Sequence, residues 1–365
     1  MLNKAFSFDQ DLAEAHATQG LLHMNHGEPQ AALEHLDLAI QGNPSEGILY
    51  AWRSICLDQL GRHNESNQAL EQAFTVDPLH QTIRHNLAVT EAFEGNYALA
   101  RELVTPDSEL AYEVDSVIAS REGRFADASL AIIEAMARTE GGYDIRGGST
   151  AAITYFFTLA NTEKAREHAI GTFQLLIDTF SVPELAYQKL NSIPASERSL
   201  FSQDLLATSL IRLQRCPEML ALYEDFNPLT APVWGDLNAG YSNVDRMAAY
   251  GWCLRQTDRE AEAGQLAQRL TDYIAQAVAN GQGPTYFKTQ AHVQILLGAQ
   301  SDAIGSLKLA WQQYLLDWTD FESPSLLELQ EYEEFQALRE AVYAHTNAER
   351  AKLGWDPIIW DSVEL

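Results

Sequence analysis

Small and apolar residues return in a single phase along the N-terminal part of the chain, at an interval of 34 residues. Gly27, Gly61 and Gly95 mark the interval, as do Ala39 with Ala73, Pro44 with Pro78, and the small series Ala32, Ser66 and Ala100. A fixed period of this size predicts stacked modules rather than one globular core. Each feature has a cause in a pair of antiparallel helices. The glycine follows the apolar face of a first helix, where the chain leaves through a positive φ that glycine adopts cheaply. Small residues inside the helices (Gly20 and Ala88 in first helices, Ala32 and Ala39 in a second) let two axes approach closely. A larger side chain there would cost about 1–3 kcal/mol in overpacking. The prolines close the second helix, because the residue before a proline is pushed out of the helical region.

With Gly20, Gly27, Ala32, Leu36, Ala39 and Pro44 at its signature positions, the pattern resembles the tetratricopeptide repeat, TPR. The resemblance implies an all-α fold, a right-handed TPR superhelix of about eight helical hairpins. The register gives repeats at 13–46, 47–80 and 81–106, the third with its second helix cut short near Pro106. A fourth turns at Gly123, with Ala128 and Ala135 as its small residues. Looser hairpins are expected at 149–180, 195–226 and 243–278, and a nearly regular one at 284–316. The organisation predicted is a regular array over 1–138, a glycine-rich joint at 139–149, degenerate hairpins over 150–320, and acidic capping helices with a tail over 321–365. Residues 1–10 match the end of a repeat whose first helix is missing, either a cap or the remnant of an upstream repeat. The closing segment, with its phrase EEFQALREAV, is similar to the ends of TPR arrays in bacterial winged-helix transcription activators and adenylate-cyclase-like signalling proteins. That second resemblance implies the sensing or partner-recruiting part of a larger bacterial regulator.

Charge narrows the partners. The chain has 365 residues, 51 acidic against 24 basic, and a formal net charge of -27, spread over both halves. Nucleic acid and anionic membrane surfaces are excluded as direct partners, because both are held by clustered Lys and Arg. No apolar stretch is long enough for a transmembrane helix, and the first residues lack the apolar run of a secretion signal. Cys56, Cys216 and Cys253, an odd and scattered set, are expected as buried reduced thiols, which fits the cytoplasm.

First helices of TPR hairpins line a concave groove. The register places Leu21, Met24 and Asn25 there from the first repeat, Ile55, Asp58 and Gln59 from the second, His85, Val89 and Phe93 from the third, and Val117 and Arg121 from the fourth. This mixed stripe predicts a site for an amphipathic helix or an extended peptide. The alternative is that these side chains pack on neighbouring repeats or on a C-terminal helix folded back into the groove. Ala17, Leu21 and Ile55 stand where carboxylate-clamp TPR proteins carry lysine or asparagine, which argues against that class. A second candidate surface is the acidic run between Lys308 and Arg339, with Asp317, Asp320, Glu322, Glu331, Glu333 and Glu334, read either as a solvated helix face or as a docking patch for a basic partner. His16, His23, His26 and His35 gather near one hairpin without a metal-ligand spacing, and the glycines at 141–148 lack the lysine of a phosphate loop, so neither metal nor cofactor is expected. Two further readings stay open. One is an enzyme on a closed α/α toroid, with Glu113, Asp144 and Asp236 as conceivable acids. The other is a scaffold that forms a homodimer through an N-terminal apolar face near Phe6 and Phe8.

Overall fold

The computed structural model describes residues 12–25, 29–60, 62–138, 151–169, 171–194, 197–198, 200–223, 242–279 and 286–360. All regular secondary structure among them is helical, and successive helices pair as the hairpins of an α-α solenoid. The chain divides into two compact units: residues 1–106 with 232–243 and 280–282, and residues 107–231, 244–279 and 283–365. The long stretch of the first unit closes at Pro106, where the sequence shortens the third repeat. Residues 1–11, the glycine-rich stretch 139–149 and the connector up to 241 fall outside the described residues.

Unit 1 is three hairpins: α1 (Ala13–Asn25) with α2 (Pro29–Gly42), α3 (Gly47–Gln59) with α4 (His63–Val76), and α5 (Gln81–Glu94) with α6 (Tyr97–Glu102). The small residues act as the repeat pattern predicts. A Cβ on Gly20 would lie 2.9 Å from Leu36 Cγ, so only hydrogen fits where α1 crosses α2. In the second hairpin Ser54 and Ser66 stand at the positions of Gly20 and Ala32. Their buried hydroxyls meet at 3.0 Å, and Ser66 also donates to the Ser54 carbonyl at 2.9 Å. The close approach is therefore kept while both polar groups are satisfied. Gly95 ends α5 at φ +89°, and the N–H of Asn96 returns to the Glu91 carbonyl at 2.8 Å, closing the helix in a left-handed cap. Leu36, Ala39, Leu49, Cys56 and Leu57 form the core of the first two hairpins. Cys56 is a free buried thiol, pushed up to about 12 by burial and then by Asp37, and so is chemically quiet.

Unit 2 opens with α7 (Glu109–Arg121) and α8 (Phe125–Arg138) around Gly123 at φ +73°. A π-helical turn at Thr154–Thr158 follows, then α9 (Thr162–His168), α10 (Thr172–Ser181), α11 (Pro183–Asn191), α12 (Leu200–Arg212), α13 (Cys216–Ala221), α14 (Ser242–Gln256), α15 (Glu260–Ala279), α16 (Phe287–Leu296), α17 (Gln300–Gln312) and finally α18 (Glu333–Lys352). The helix at α11 has no counterpart among the expected hairpins. Pro183 at its first turn starts it, since a missing N–H costs nothing there.

The cysteine expectation needs correction. Cys216 and Cys253 are joined in a disulfide across α13 and α14, with Cα atoms 4.9 Å apart. Thirty-seven residues separate them in sequence, a spacing that resembles no framework, and only the stacking of α13 on α14 brings them together. The pairing removes the argument from reduced thiols for a cytoplasmic location.

Residues 313–332 also depart from the expected array. Where capping helices are expected from 321, the chain first runs through two 3-10 turns, Asp320–Glu322 and Leu326–Leu329, which bury Phe321, Leu326 and Leu329 in the core of unit 2. α18 then returns to the first hairpin of the unit. His345 Nε2 meets the Gly123 carbonyl at 2.7 Å, and the buried Glu349 accepts from the Ala126 N–H at 2.9 Å. That N–H belongs to the first turn of α8, where donors lack an intrahelical partner and the helix dipole favours a carboxylate.

Candidate functional site

The first helices of unit 1 are α1, α3 and α5; α1 touches α3, and α3 touches α5. Leu21 and Met24 on α1 and His85 and Val89 on α5 are half-buried, while Ile55 and Asp58 on α3 and Phe93 on α5 are exposed. Ile55 keeps 37% of its surface and Phe93 55%. Asn25 and Gln59 sit at helix C-termini, and their side chains fall outside the described residues.

In unit 2 the corresponding surface is occupied by the chain itself. Arg121, at the last position of α7 in the predicted groove stripe, reaches Gln313 Oε1 at 3.5 Å, and Val117 one turn earlier is half-buried. From there residues 313–329 meet one first helix after another. Trp318 Nε1 donates to the Phe156 carbonyl at 2.8 Å. Arg212 on α12 pairs with Glu322 at 2.9 Å while its guanidinium lies over the Phe180 ring. On α14, Arg255 pairs with Glu328, and Trp252 Nε1 donates to the same carboxylate at 2.9 Å. On α16, Lys288 pairs with Asp320 at 2.8 Å and His292 Nδ1 meets Ser325 Oγ at 2.7 Å.

The acidic run therefore splits. Asp317, Asp320 and Glu322 turn inward, whereas Glu331, Glu333 and Glu334 are exposed, Glu334 in an ion pair with Lys308. The inward acids are electrostatically crowded. Burial, and then the neighbouring Asp320, push the Asp317 carboxyl upward, against the pull of Lys288. Burial also raises Asp245, although the Thr289 hydroxyl donates to it. Lys288 is held above its ordinary value, burial opposing its charge and Asp320, Asp317 and Asp245 overcoming that. His292, in contrast, is lowered to about 4 by burial and is neutral at pH 7. The sequence names the acids in this cluster. It gives no notice of Arg212, Trp252, Arg255, Lys288 or His292, which lie up to 110 residues away from their partners. The available signal is the interleaving of acids with Tyr314, Trp318, Phe321, Leu326 and Leu329, which a solvated helix face would not carry.

Of the clustered histidines, His16 and His35 place their Nδ1 atoms 2.9 Å apart, and His23 stacks on His35 with ring centroids 5.4 Å apart. Burial lowers the His35 pKa, and the neighbouring His16 and His23 lower it further. His26 lies outside the described residues. Among the described residues no group of three or more His, Cys, Asp or Glu side chains is arranged to hold a metal ion, and no helix is long and apolar enough to cross a membrane. Of the acids suggested for a toroidal enzyme, Glu113 lies half-buried on α7, and Asp144 and Asp236 fall outside the described residues, as do Phe6 and Phe8.

No protein-family model matches the chain. A stretch of 83 residues is 30% identical to the Protein SGT1 homolog of Bos taurus, covering 23% of this chain and 25% of that protein. The chain thus spans about a quarter of the length of that curated relative. Among solved structures, the P58(IPK) TPR domain aligns over 93% of this chain and 99% of its own, with 11% identity and a TM-score of 0.24. The structure of Naa15/Naa10 bound to HypK-THB aligns over 93% of this chain and 66% of its own, with 12% identity and a TM-score of 0.28. Neither superposition is close enough to bear on partner or activity.

Proposed function

We propose that the protein is a non-catalytic interaction module that binds a protein or peptide on the first-helix face of unit 1, through Leu21, Met24, Ile55, Val89 and Phe93 flanked by Asp58 and His85. The observation that carries the reading is a contrast between equivalent surfaces. In unit 2 the first helices hold a segment of the chain, ion pair by ion pair, whereas in unit 1 the same helices present Ile55 and Phe93 to solvent. Exposed aromatic and aliphatic anchors of this kind are what helix-in-groove recognition uses. The finer role that fits the closing-segment resemblance is the partner-recruiting arm of a larger bacterial regulator, acting in the cytoplasm and without direct contact to nucleic acid. Capture of partners by the purified chain, compared with its Phe93→Glu and Met24→Glu variants, tests the site. Loss of capture in both variants, with unfolding transitions unchanged, supports it; unchanged capture by both removes the unit 1 face from the argument.

A further inference from the structure

We infer that the partner segment is a cationic amphipathic helix of about four turns, lying across α1, α3 and α5. The inference rests on the unit 1 reading above and adds the charge and the conformation of the ligand.

The charge follows from what the face and its surroundings hold. At the face positions of the three first helices stand Glu14, Asp58 and His85 among apolar and uncharged polar residues, and no lysine or arginine. Between residues 12 and 106 there are 12 acidic side chains and four arginines. Arg53 pairs with Asp37 at 2.7 Å, Arg62 with Glu65 at 2.7 Å, and Arg84 donates to the carbonyls of Leu103 and Glu102 at 2.8 and 3.2 Å. Beside Phe93 the negative charge is concentrated. Glu94 is pushed up by partial burial, then by Glu91, and further by Glu71, against a hydrogen bond from Asn67 at 2.6 Å. Glu91 and Glu94 also occupy the last turn of α5, the negative end of its dipole, where a carboxylate is unfavourable and a cation welcome. An apolar strip with Phe93 exposed, bordered by an excess of carboxylates, matches a ligand with one apolar and one basic face. It repels an acidic one.

The conformation follows from spacing and from hydrogen-bonding capacity. Packed helices lie about 8–10 Å apart, so crossing from α1 to α5 covers roughly 20 Å. A helix rising 1.5 Å per residue covers that in about 14 residues, with apolar residues two turns apart meeting successive first helices. An extended strand of half that length would span the same distance. Its backbone N–H and C=O groups would then face mostly Leu21, Met24, Ile55, Val89 and Phe93, which offer them nothing, whereas a helix satisfies its own.

The test is fluorescence anisotropy with the full chain and three labelled synthetic 15-residue helices. They share one leucine face and differ only in the other, which is lysine, glutamine or glutamate. The lysine helix is expected to bind about tenfold or more tightly than the glutamine helix, and the gap should narrow between low and high salt. Phe93→Ser should weaken the lysine helix by about tenfold, as loss of an aromatic anchor does; Phe93 is exposed, so the variant leaves the core intact. Asp58→Asn should weaken it by a smaller factor. Equal binding of the three helices, all lost in Phe93→Ser, overturns the cationic assignment and leaves the unit 1 site standing. Binding of the lysine helix that is indifferent to Phe93→Ser is surface adsorption by an acidic protein and overturns both, as does the absence of binding by any of the three.

Discussion

Replacing Gly123 by alanine should destabilise unit 2 more than the same change at Gly298, and the difference measures how tightly residues 313–318 are seated. Both glycines have φ +73°. An alanine in the left-handed region costs about 1–2 kcal/mol, part of which is returned because alanine restricts the unfolded chain. At Gly298 nothing lies within 4 Å of the new Cβ, so that net backbone cost, roughly 1 kcal/mol, is all that is expected. At Gly123 the Cβ would collide with three atoms of the Tyr314 ring, Cε1, Cδ1 and Cζ. The ring has little room to retreat, being held edge-on to Phe125 and against Trp311 and His345, with centroids 6.3, 5.4 and 5.4 Å away. Overpacking of this kind adds about 1–3 kcal/mol. Urea unfolding followed by far-ultraviolet circular dichroism gives both values from shifts in midpoint at constant slope. In a Tyr314→Ala background the extra cost at Gly123 should vanish while that at Gly298 remains, because only the first pair is coupled. Equal costs at Gly123 and Gly298 in the wild-type background would show that Tyr314 is not where the structure puts it, and would loosen the whole path of residues 313–329.

Other expectations follow from the same structure. Titration of unfolded, unreduced protein should reveal one reactive thiol, Cys56, and three after reduction; three at the outset would refute the Cys216–Cys253 bridge. With 37 residues between its ends the bridge should contribute about 4 kcal/mol by restricting the unfolded chain, so a Cys216→Ser variant should lower the unfolding midpoint accordingly. Arg212→Met strands Glu322 in a largely buried site and should cost about 3–5 kcal/mol, most of which the added Glu322→Gln change should restore; a double variant as unstable as the single one would place the cost elsewhere. His35 is held neutral in the fold, so its contribution is present above the unfolded histidine value near 6.5 and is lost as pH falls through that value to the lowered folded one. Thermal melts at pH 7.5 and 5.5 should therefore differ less in His35→Gln than in wild type, and an unchanged difference would refute the assignment.

How much of this was legible in sequence depended on the range of the interaction. Gly20 against Leu36, Gly95 in its left-handed cap, the shortened α6 before Pro106 and the turn at Gly123 were all readable, because each is set within one hairpin by sterics that recur every 34 residues. Arg121, assigned to the groove stripe by counting, meets Gln313. What escaped were pairings between hairpins that share no period. The Cys216–Cys253 bridge, the hold of Glu349 on the first turn of α8 across 223 residues, and the three ion pairs to residues 320–328 depend on which first helices lie side by side. Periodicity does not encode that. The acids between Lys308 and Arg339 looked like a solvated face because charge is ordinarily outside; their arginine and lysine partners, scattered over α12, α14 and α16, make inward placement affordable.

The two units can then be compared as two solutions to one problem, the ligand of a first-helix face. In unit 2 the first helices carry Arg121, Arg212, Arg255 and Lys288, and what lies against the last three is an acidic, aromatic segment that matches them with Glu322, Glu328 and Asp320. Apolar contact alone would not choose that segment over others, since leucines and aromatics occur throughout the chain. The cations choose it, and removing any one of them leaves a partly buried carboxylate unpaired. Unit 1 has the same helical geometry with the opposite sign: Glu14 and Asp58 on the face, Glu91 and Glu94 at its edge, and its arginines Arg53, Arg62 and Arg84 already engaged. If charge on the first helices selects what lies against them in the occupied unit, the same rule applied to the open one selects a basic ligand, and it does so without reference to any partner outside the chain.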